Sequence, residues 1–114
     1  MLPKLEEMIL LAVLKFGPDV TAGVVQAALS EAGGREQAFG SIFTTLDRLS
    51  EKKFVKWCKG EPDERRGGRA PRLYTITGTG QGMLIASLRA TQKLATGLDL
   101  GAIPVLTRLG GASC

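Results

Sequence analysis

Basic residues are concentrated in one stretch of the chain, at positions 52–72. This stretch holds eight lysines and arginines against three acidic residues, a net charge of +5, whereas residues 1–51 carry −3 and residues 73–114 carry +2. Basic side chains clustered in this way can neutralise the phosphates of a nucleic acid. The charge pattern therefore predicts a polyanionic partner. A solvated loop is the alternative interpretation.

Residue types suited to catalysis are scarce. The chain has no histidine and two cysteines, Cys58 and Cys114, so a histidine base, a zinc site or a disulfide framework has few groups available. The carboxylates are scattered over predicted helix surfaces or lie beside the arginines of the basic stretch, instead of forming a cluster for metal or acid-base chemistry. We therefore expect no enzyme, no catalytic residue, no metal and no cofactor, and a hydrolase or nuclease is the least favoured alternative.

The length bounds the architecture. A chain of 114 residues is long enough for one small domain with a single core and too short for two. The longest apolar run, residues 8–14, is shorter than the ~20 residues that a membrane span requires. Glu6 and Glu7 interrupt the pattern of a secretory signal. We expect a cytoplasmic protein.

Apolar periodicity predicts four helices and two strands. The helices fall at residues 5–16, 22–32, 39–52 and 78–96, and the strands at 55–59 and 72–77. Thr21 is the expected cap of the second helix, and Thr77 or Thr79 that of the fourth. Glycine, proline and charged residues between the strands indicate a long exposed hairpin loop at residues 60–71.

This order of elements predicts an α+β, mostly helical fold. Three helices followed by a two-stranded hairpin are typical of a winged helix-turn-helix, here residues 1–77, in which the hairpin forms the wing. We expect residues 78–98 to form a C-terminal dimerisation helix packed on the same domain. For residues 99–114 no element is predicted, and a disordered tail is left open.

The third helix of such a fold enters the major groove of DNA, while the wing grips the flanking backbone. Short polar side chains allow close approach to base edges, and basic side chains fix the register through phosphates. Trp57 alternates with lysines in the first strand and is expected to pack within the hairpin. The predicted DNA-binding residues are Ser41, Thr44, Thr45, Arg48, Lys52, Lys56, Arg65, Arg66, Arg69 and Arg72.

Two helices have more apolar surface than one small domain is expected to cover. Ile9, Val13 and Phe16 of the first helix are assigned to the core, which leaves a second apolar side. The fourth helix has a further stripe near heptad spacing. We expect these two surfaces to form a homodimer interface, composed of Leu10, Leu11, Leu14, Leu84, Leu88, Ala95 and Leu98.

Three segments resemble one family of regulators. Residues 40–55 resemble the recognition-helix signature of the PadR family of transcriptional regulators. Leu5 to Gly17 is similar to the first helix of that family, and Gly67 to Thr77 is similar to its wing. The resemblance covers residues 5–95. It departs from the family pattern at Ala22, where an aromatic residue is usual, at Phe43, where a tyrosine is usual, and at Lys53, where a helix-ending glycine is common.

The resemblance implies a homodimeric bacterial transcription factor, commonly a repressor, that binds a near-palindromic operator. It also implies that the last helix pairs with the partner, and that any small-molecule effector binds near the dimer interface. No residue cluster identifies such an effector. A winged-helix module that binds proteins without specific DNA binding is the alternative, because one fold can host unrelated functions.

Overall fold

The structure, a computed structural model, describes residues 2–33, 37–62 and 67–98. The predicted contacts Arg65 and Arg66 and the predicted tail 99–114 lie outside the described residues. The elements are α1 (Lys4–Phe16), α2 (Ala22–Gly33), α3 (Phe39–Glu51), β1 (Val55–Lys59), β2 (Arg72–Ile76) and α4 (Gly78–Ala95). The predicted α+β, mostly helical architecture is confirmed, and every predicted element is present.

The helices pack around one apolar core. α1 contacts α2, α3 and α4, and α2 also contacts α3. Each helix contributes side chains with almost no solvent exposure, and buried residues of the two strands complete the core. The completely buried side chains include Ile9, Leu10, Val25, Ile42, Leu46, Leu49, Tyr74 and Leu84. The spacing of the helical members follows the period of 3.6, which explains why these segments form helices here.

α3 ends in a left-handed turn that starts the wing. The amide of Lys53 donates to the carbonyl of Ser50 at 3.0 Å, and the amide of Phe54 donates to the carbonyl of Leu49 at 2.9 Å. These are the two bonds of a Schellman motif, and Lys53 has the positive φ, 65°, that this motif requires. Lysine therefore stands at a backbone position for which glycine is better suited.

The wing is a two-stranded antiparallel sheet with a third, short contact. β1 pairs with β2 in the register Val55 with Ile76 and Trp57 with Tyr74. On its other edge Tyr74 forms an isolated bridge with Val20, through backbone hydrogen bonds of 2.8 and 2.9 Å. The segment between α1 and α2 is thereby joined to β2.

α4 begins on the turn between α3 and β1. The Thr77 side chain accepts a hydrogen bond from the amide of Gly80 and donates one to the carbonyl of Lys53. This confirms Thr77 as the cap of the helix. Further along α4, the Ser87 hydroxyl donates to the Glu7 carboxylate of α1 at 2.7 Å. α4 is therefore fixed to the domain at both of these points.

Three apolar positions differ from the prediction. Leu10 and Leu84, expected in a dimer interface, are completely buried within the chain, whereas Phe16, expected in the core, is 48% exposed. The fourth helix packs on the domain and contributes Leu84 to its core, so the first part of its stripe has its partners in the same chain. Part of the second apolar side of α1 is also buried in the core, because α4 packs against it.

Within the described residues, no helix combines the length and apolar character needed to cross a membrane.

Two glycines of α4 provide a matched test of this packing. A Cβ on Gly80 would overlap the carbonyl oxygen of Phe54, whereas a Cβ on Gly82 meets nothing within 4 Å. We expect Gly80→Ala to lower the free energy of unfolding by about 1–3 kcal/mol, because the start of α4 must move. Gly82→Ala should raise it by about 0.5–1 kcal/mol through helix propensity. Urea denaturation of both variants measures the difference, and equal effects would contradict the packing of α4 on Phe54.

Candidate nucleic-acid interface

One face of α3 presents short polar and basic side chains to solvent. Ser41, Thr44 and Arg48 are exposed, and their spacing of three and four residues aligns them along the helix. Ile42, Leu46 and Leu49 are buried on the opposite side and hold the helix to the core. The exposed face can therefore approach a surface without disturbing the fold.

Thr45 does not belong to this face. The structure buries it to 5% exposure, and its hydroxyl donates to the carbonyl of Ser41 at 2.8 Å. The prediction that Thr45 projects outward is wrong, because the helical period turns this residue towards the core.

Lys52 lies at the end of α3 and is paired within the chain. Its ammonium group donates to both carboxylate oxygens of Glu6, at 2.9 and 3.2 Å. The Glu6 side chain is 5% exposed and that of Lys52 is 42% exposed. Most of the positive charge of Lys52 is thus matched by a buried carboxylate of α1, which makes Lys52 a link between α1 and α3 rather than a free cation.

The wing has exposed basic side chains. Lys56 on β1 and Arg69 in the hairpin loop are both exposed. Arg72, the first residue of β2, is half-buried instead. Of the predicted wing contacts that the structure describes, Lys56 and Arg69 are exposed and Arg72 is packed against other side chains.

Arg72 is held by three side chains. Its guanidinium carbon lies 4.1 Å from the centroid of the Trp57 ring and 4.9 Å from that of the Phe43 ring. Its Nη1 atom lies 2.8 Å from a carboxylate oxygen of Asp47. Distances of this size are those of cation–π contacts and of an ion pair with a hydrogen bond. We call Phe43, Asp47, Trp57 and Arg72 the wing cluster.

Sequence reasoning did not identify the wing cluster. Phe43 and Asp47 are one helical turn apart, which places them side by side, but this spacing gives no sign of what they contact. The cross-strand partners depend on the register of the hairpin, and a loop as long as residues 60–71 does not fix that register from sequence. Trp57, expected to pack within the hairpin, contacts Arg72 of the opposite strand but remains 37% exposed.

Tyr74 is buried beneath the wing cluster. Its side chain has no exposure, and its hydroxyl has no hydrogen-bond partner among the described residues. Burial raises the pKa of Tyr74 above its ordinary value of 10.0, and the nearby Arg72 cation offsets part of this effect. Burial therefore favours the neutral phenol over the phenolate.

The other predicted interface residues lie on α1, on α4 and, for Leu98, just after α4. Leu11, Leu14 and Leu98 are exposed, at 37%, 43% and 56%. Ala95 is half-buried, and Leu88 packs against the core. Leu94, at 83% exposure, is a large apolar side chain that sequence reasoning left out. Leu94 lies seven residues, or two helical turns, after Ser87, and this spacing was the available signal because it continues the inward side of α4.

Solved structures with this architecture are known. A PadR-like transcriptional regulator from Bacillus cereus matches 81% of this chain and 84% of its own length with a TM-score of 0.66 and 22% sequence identity. A PadR-like transcription factor from Bacteroides fragilis matches 79% of this chain and 81% of its own, with a TM-score of 0.66 and 26% identity. This chain has the PadR-like winged-helix fold. The resemblance in the sequence is confirmed at the level of the fold.

A third match bears on the face described above. Bacillus subtilis PadR in complex with operator DNA has the same PadR-like fold, with a TM-score of 0.65 and 18% identity over 75% of this chain. This chain spans about half, 47%, of that longer protein. No protein-family model matches the chain, and no curated protein matches it.

The titration of Tyr74 tests the burial of the wing against the core. Because the folded state favours the phenol, stability is fully present below the unfolded pKa of 10.0 and falls as the pH rises towards the higher folded pKa. Tyr74 is the single tyrosine, so phenolate absorbance in the ultraviolet reports this residue alone. We expect ionisation at higher pH in the native than in the denatured protein. Equal midpoints would contradict the burial, and Tyr74→Phe serves as the control that lacks the signal.

Proposed function

We propose that the chain is a transcriptional regulator that binds double-stranded DNA with sequence specificity. The observation that carries the proposal is the exposed face of α3, with Ser41, Thr44 and Arg48 in one line beside a basic wing. α3 inserts into the major groove in this proposal, and the wing contacts the backbone. A solved PadR-like structure with operator DNA supports this arrangement.

The side chains have different roles in such a complex. Arg48 can donate two hydrogen bonds to a guanine, and Ser41 and Thr44 allow the helix to approach base edges closely. Lys56 and Arg69, together with Arg65 and Arg66, neutralise phosphates and fix the register. We do not include Thr45 among the base contacts, because its hydroxyl is bonded within the helix.

We further infer a homodimer, on a revised set of residues. Leu11 and Leu14 on α1, Leu94 on α4 and Leu98 just after α4 are exposed apolar side chains, and α1 packs against α4. Leu11 and Leu14 also line, with Phe16, an open apolar cavity of about 470 Å³ between α1 and α2. Exposed apolar surface of this kind is typical of an interface.

A two-fold dimer presents two α3 helices to the same duplex. The two half-sites are then one or more turns apart, about 34 Å per turn, and the operator is near-palindromic. We propose a repressor, acting in the cytoplasm, in line with the sequence resemblance. The surface described here defines no effector.

Selection of bound sequences from a random duplex pool tests the function. We expect recovery of an inverted repeat and an affinity that falls steeply with salt. Arg48→Ala should cost about 1–3 kcal/mol of discrimination at one position of each half-site, because a base contact is lost. Fluorescence anisotropy with the selected duplex and with a scrambled duplex measures both effects.

The matched control is Lys56→Ala. It also removes one exposed positive charge, but from a proposed phosphate contact, so we expect weaker binding to both duplexes by a similar factor. Recovery of no sequence from the pool would refute specific DNA binding. Equal losses on both duplexes for Arg48→Ala would reassign Arg48 to the backbone.

The dimer is tested by Leu94→Glu. Leu94 is exposed in the single chain, so the substitution leaves the core intact, whereas burial of a carboxylate in an interface disfavours association. We expect analytical ultracentrifugation to show a dimer for the wild type and a shift towards monomer for this variant, with weaker operator binding. Gln92→Glu adds the same charge on the same helix and should remain dimeric. A monomeric wild type at micromolar concentration would refute the dimer.

A further inference from the structure

We propose that Arg72 is a positioning residue, which fixes the outer half of the wing to α3 and does not bind a DNA phosphate. This inference rests on the proposed function, since it concerns how the two DNA-contacting elements are held relative to each other. It replaces the role that the sequence suggested for Arg72. The structural basis is the wing cluster, Phe43, Asp47, Trp57 and Arg72.

The wing cluster joins three elements through one guanidinium group. Phe43 and Asp47 come from α3, Trp57 from β1 and Arg72 from β2. The guanidinium carbon lies over both aromatic rings, at 4.1 Å from Trp57 and 4.9 Å from Phe43. Its Nη1 atom lies 2.8 Å from the Asp47 carboxylate. A planar, delocalised cation suits all three contacts at once, which a lysine ammonium does not.

The position of Arg72 along the hairpin shows which part of the wing it fixes. Tyr74 pairs with Trp57 and is buried in the core, so the inner half of the wing is already fixed. Arg72 pairs with Lys59, and this is the last pair before the loop. A hairpin of two strands is only marginally stable by itself. Arg72 is therefore the contact that keeps the outer half of the wing against α3.

The electrostatics of the cluster favour the same role. Asp47 lies on α3 between Thr44 and Arg48 in sequence, and its side chain is 47% exposed. An unpaired carboxylate at that position would repel DNA phosphates. The ion pair with Arg72 removes this repulsion, and an Arg72 that turned to a phosphate would leave Asp47 uncompensated.

A fixed wing affects specific binding more than non-specific binding. A specific complex needs the α3 contacts and the wing contacts at one defined separation, and a preorganised arrangement avoids the cost of ordering them on binding. A non-specific complex tolerates a range of separations because its contacts are electrostatic. Loss of the wing cluster should therefore reduce the ratio of specific to non-specific affinity.

Two matched substitutions distinguish positioning from phosphate contact. Arg72→Gln and Arg69→Gln each remove one positive charge from the wing, but Arg69 is exposed and lies outside the cluster. Two conservative variants, Arg72→Lys and Arg69→Lys, keep the charge. The probes are the duplex recovered by selection and its scrambled form, each titrated over a series of salt concentrations. Trp57 is the single tryptophan, so its fluorescence reports the cluster directly.

For Arg72→Gln we expect a roughly tenfold loss of affinity for the selected duplex, a wild-type salt slope and a red-shifted Trp57 emission, because Trp57 loses its cover. Arg72→Lys should give the same three results. Arg69→Gln should make the salt slope shallower by about 0.9 for each phosphate lost, or about 1.8 for the two wings of a dimer. Its emission should be unchanged, and Arg69→Lys should resemble the wild type. Circular dichroism checks that the helices persist in each variant. If Arg72→Gln unfolds, Arg72→Lys is compared with Arg69→Lys instead.

Two other outcomes overturn the inference. If Arg72→Gln lowers the salt slope as Arg69→Gln does, and Arg72→Lys restores wild-type affinity, Arg72 is a phosphate contact and only the positioning role fails. Unchanged Trp57 emission in both Arg72 variants likewise refutes the wing cluster. If the wild-type chain binds no duplex at all, the proposed function fails and the positioning role fails with it.

Discussion

The burial of Tyr74 is the constraint on which the arrangement of this molecule depends. Its side chain lies in the core while its backbone pairs with Trp57 on one side and with Val20 on the other. Tyr74 therefore joins the wing to the segment between α1 and α2. Without it, the wing is a two-stranded hairpin on a long loop, which is marginal in water. The Tyr74 hydroxyl has no hydrogen-bond partner among the described residues. Packing therefore holds the side chain, while backbone hydrogen bonds hold the strand.

α3 serves three purposes with three groups of side chains. Ile42, Leu46 and Leu49 bind it to the core, and Phe43 and Asp47 contact the wing. The remaining face is exposed and includes Ser41, Thr44 and Arg48. A helix of 13 residues has room for this division because consecutive residues are 100° apart around the axis. The end of α3, with Lys53 in the left-handed region, then directs the chain into β1.

Periodicity was sufficient to predict the elements, and it failed where the outcome depended on tertiary contacts. The helices, both strands and the Thr77 cap follow from local patterns of apolar and capping residues. Leu10 and Leu84 were misassigned because the pattern does not show that α4 completes the core of its own chain. Thr45 is polar and was placed outward by type, although its phase on the helix is that of a buried residue. Arg72 was grouped with the exposed arginines because sequence alone does not give the cross-strand register.

The exposed face of α3 and the wing cluster are expected to change by mutation in different ways. A substitution at Thr44 or Arg48 alters an exposed side chain and leaves its neighbours' contacts intact, so single mutations there can be sampled one at a time. Phe43, Asp47, Trp57 and Arg72 depend on one another, and a change at one of them leaves the others with an unmatched ring or charge. Such residues are expected to be replaced together, by paired mutations. In the proposed function, the protein can therefore acquire a new target sequence by mutation of one helix face while the geometry that presents that face is inherited unchanged.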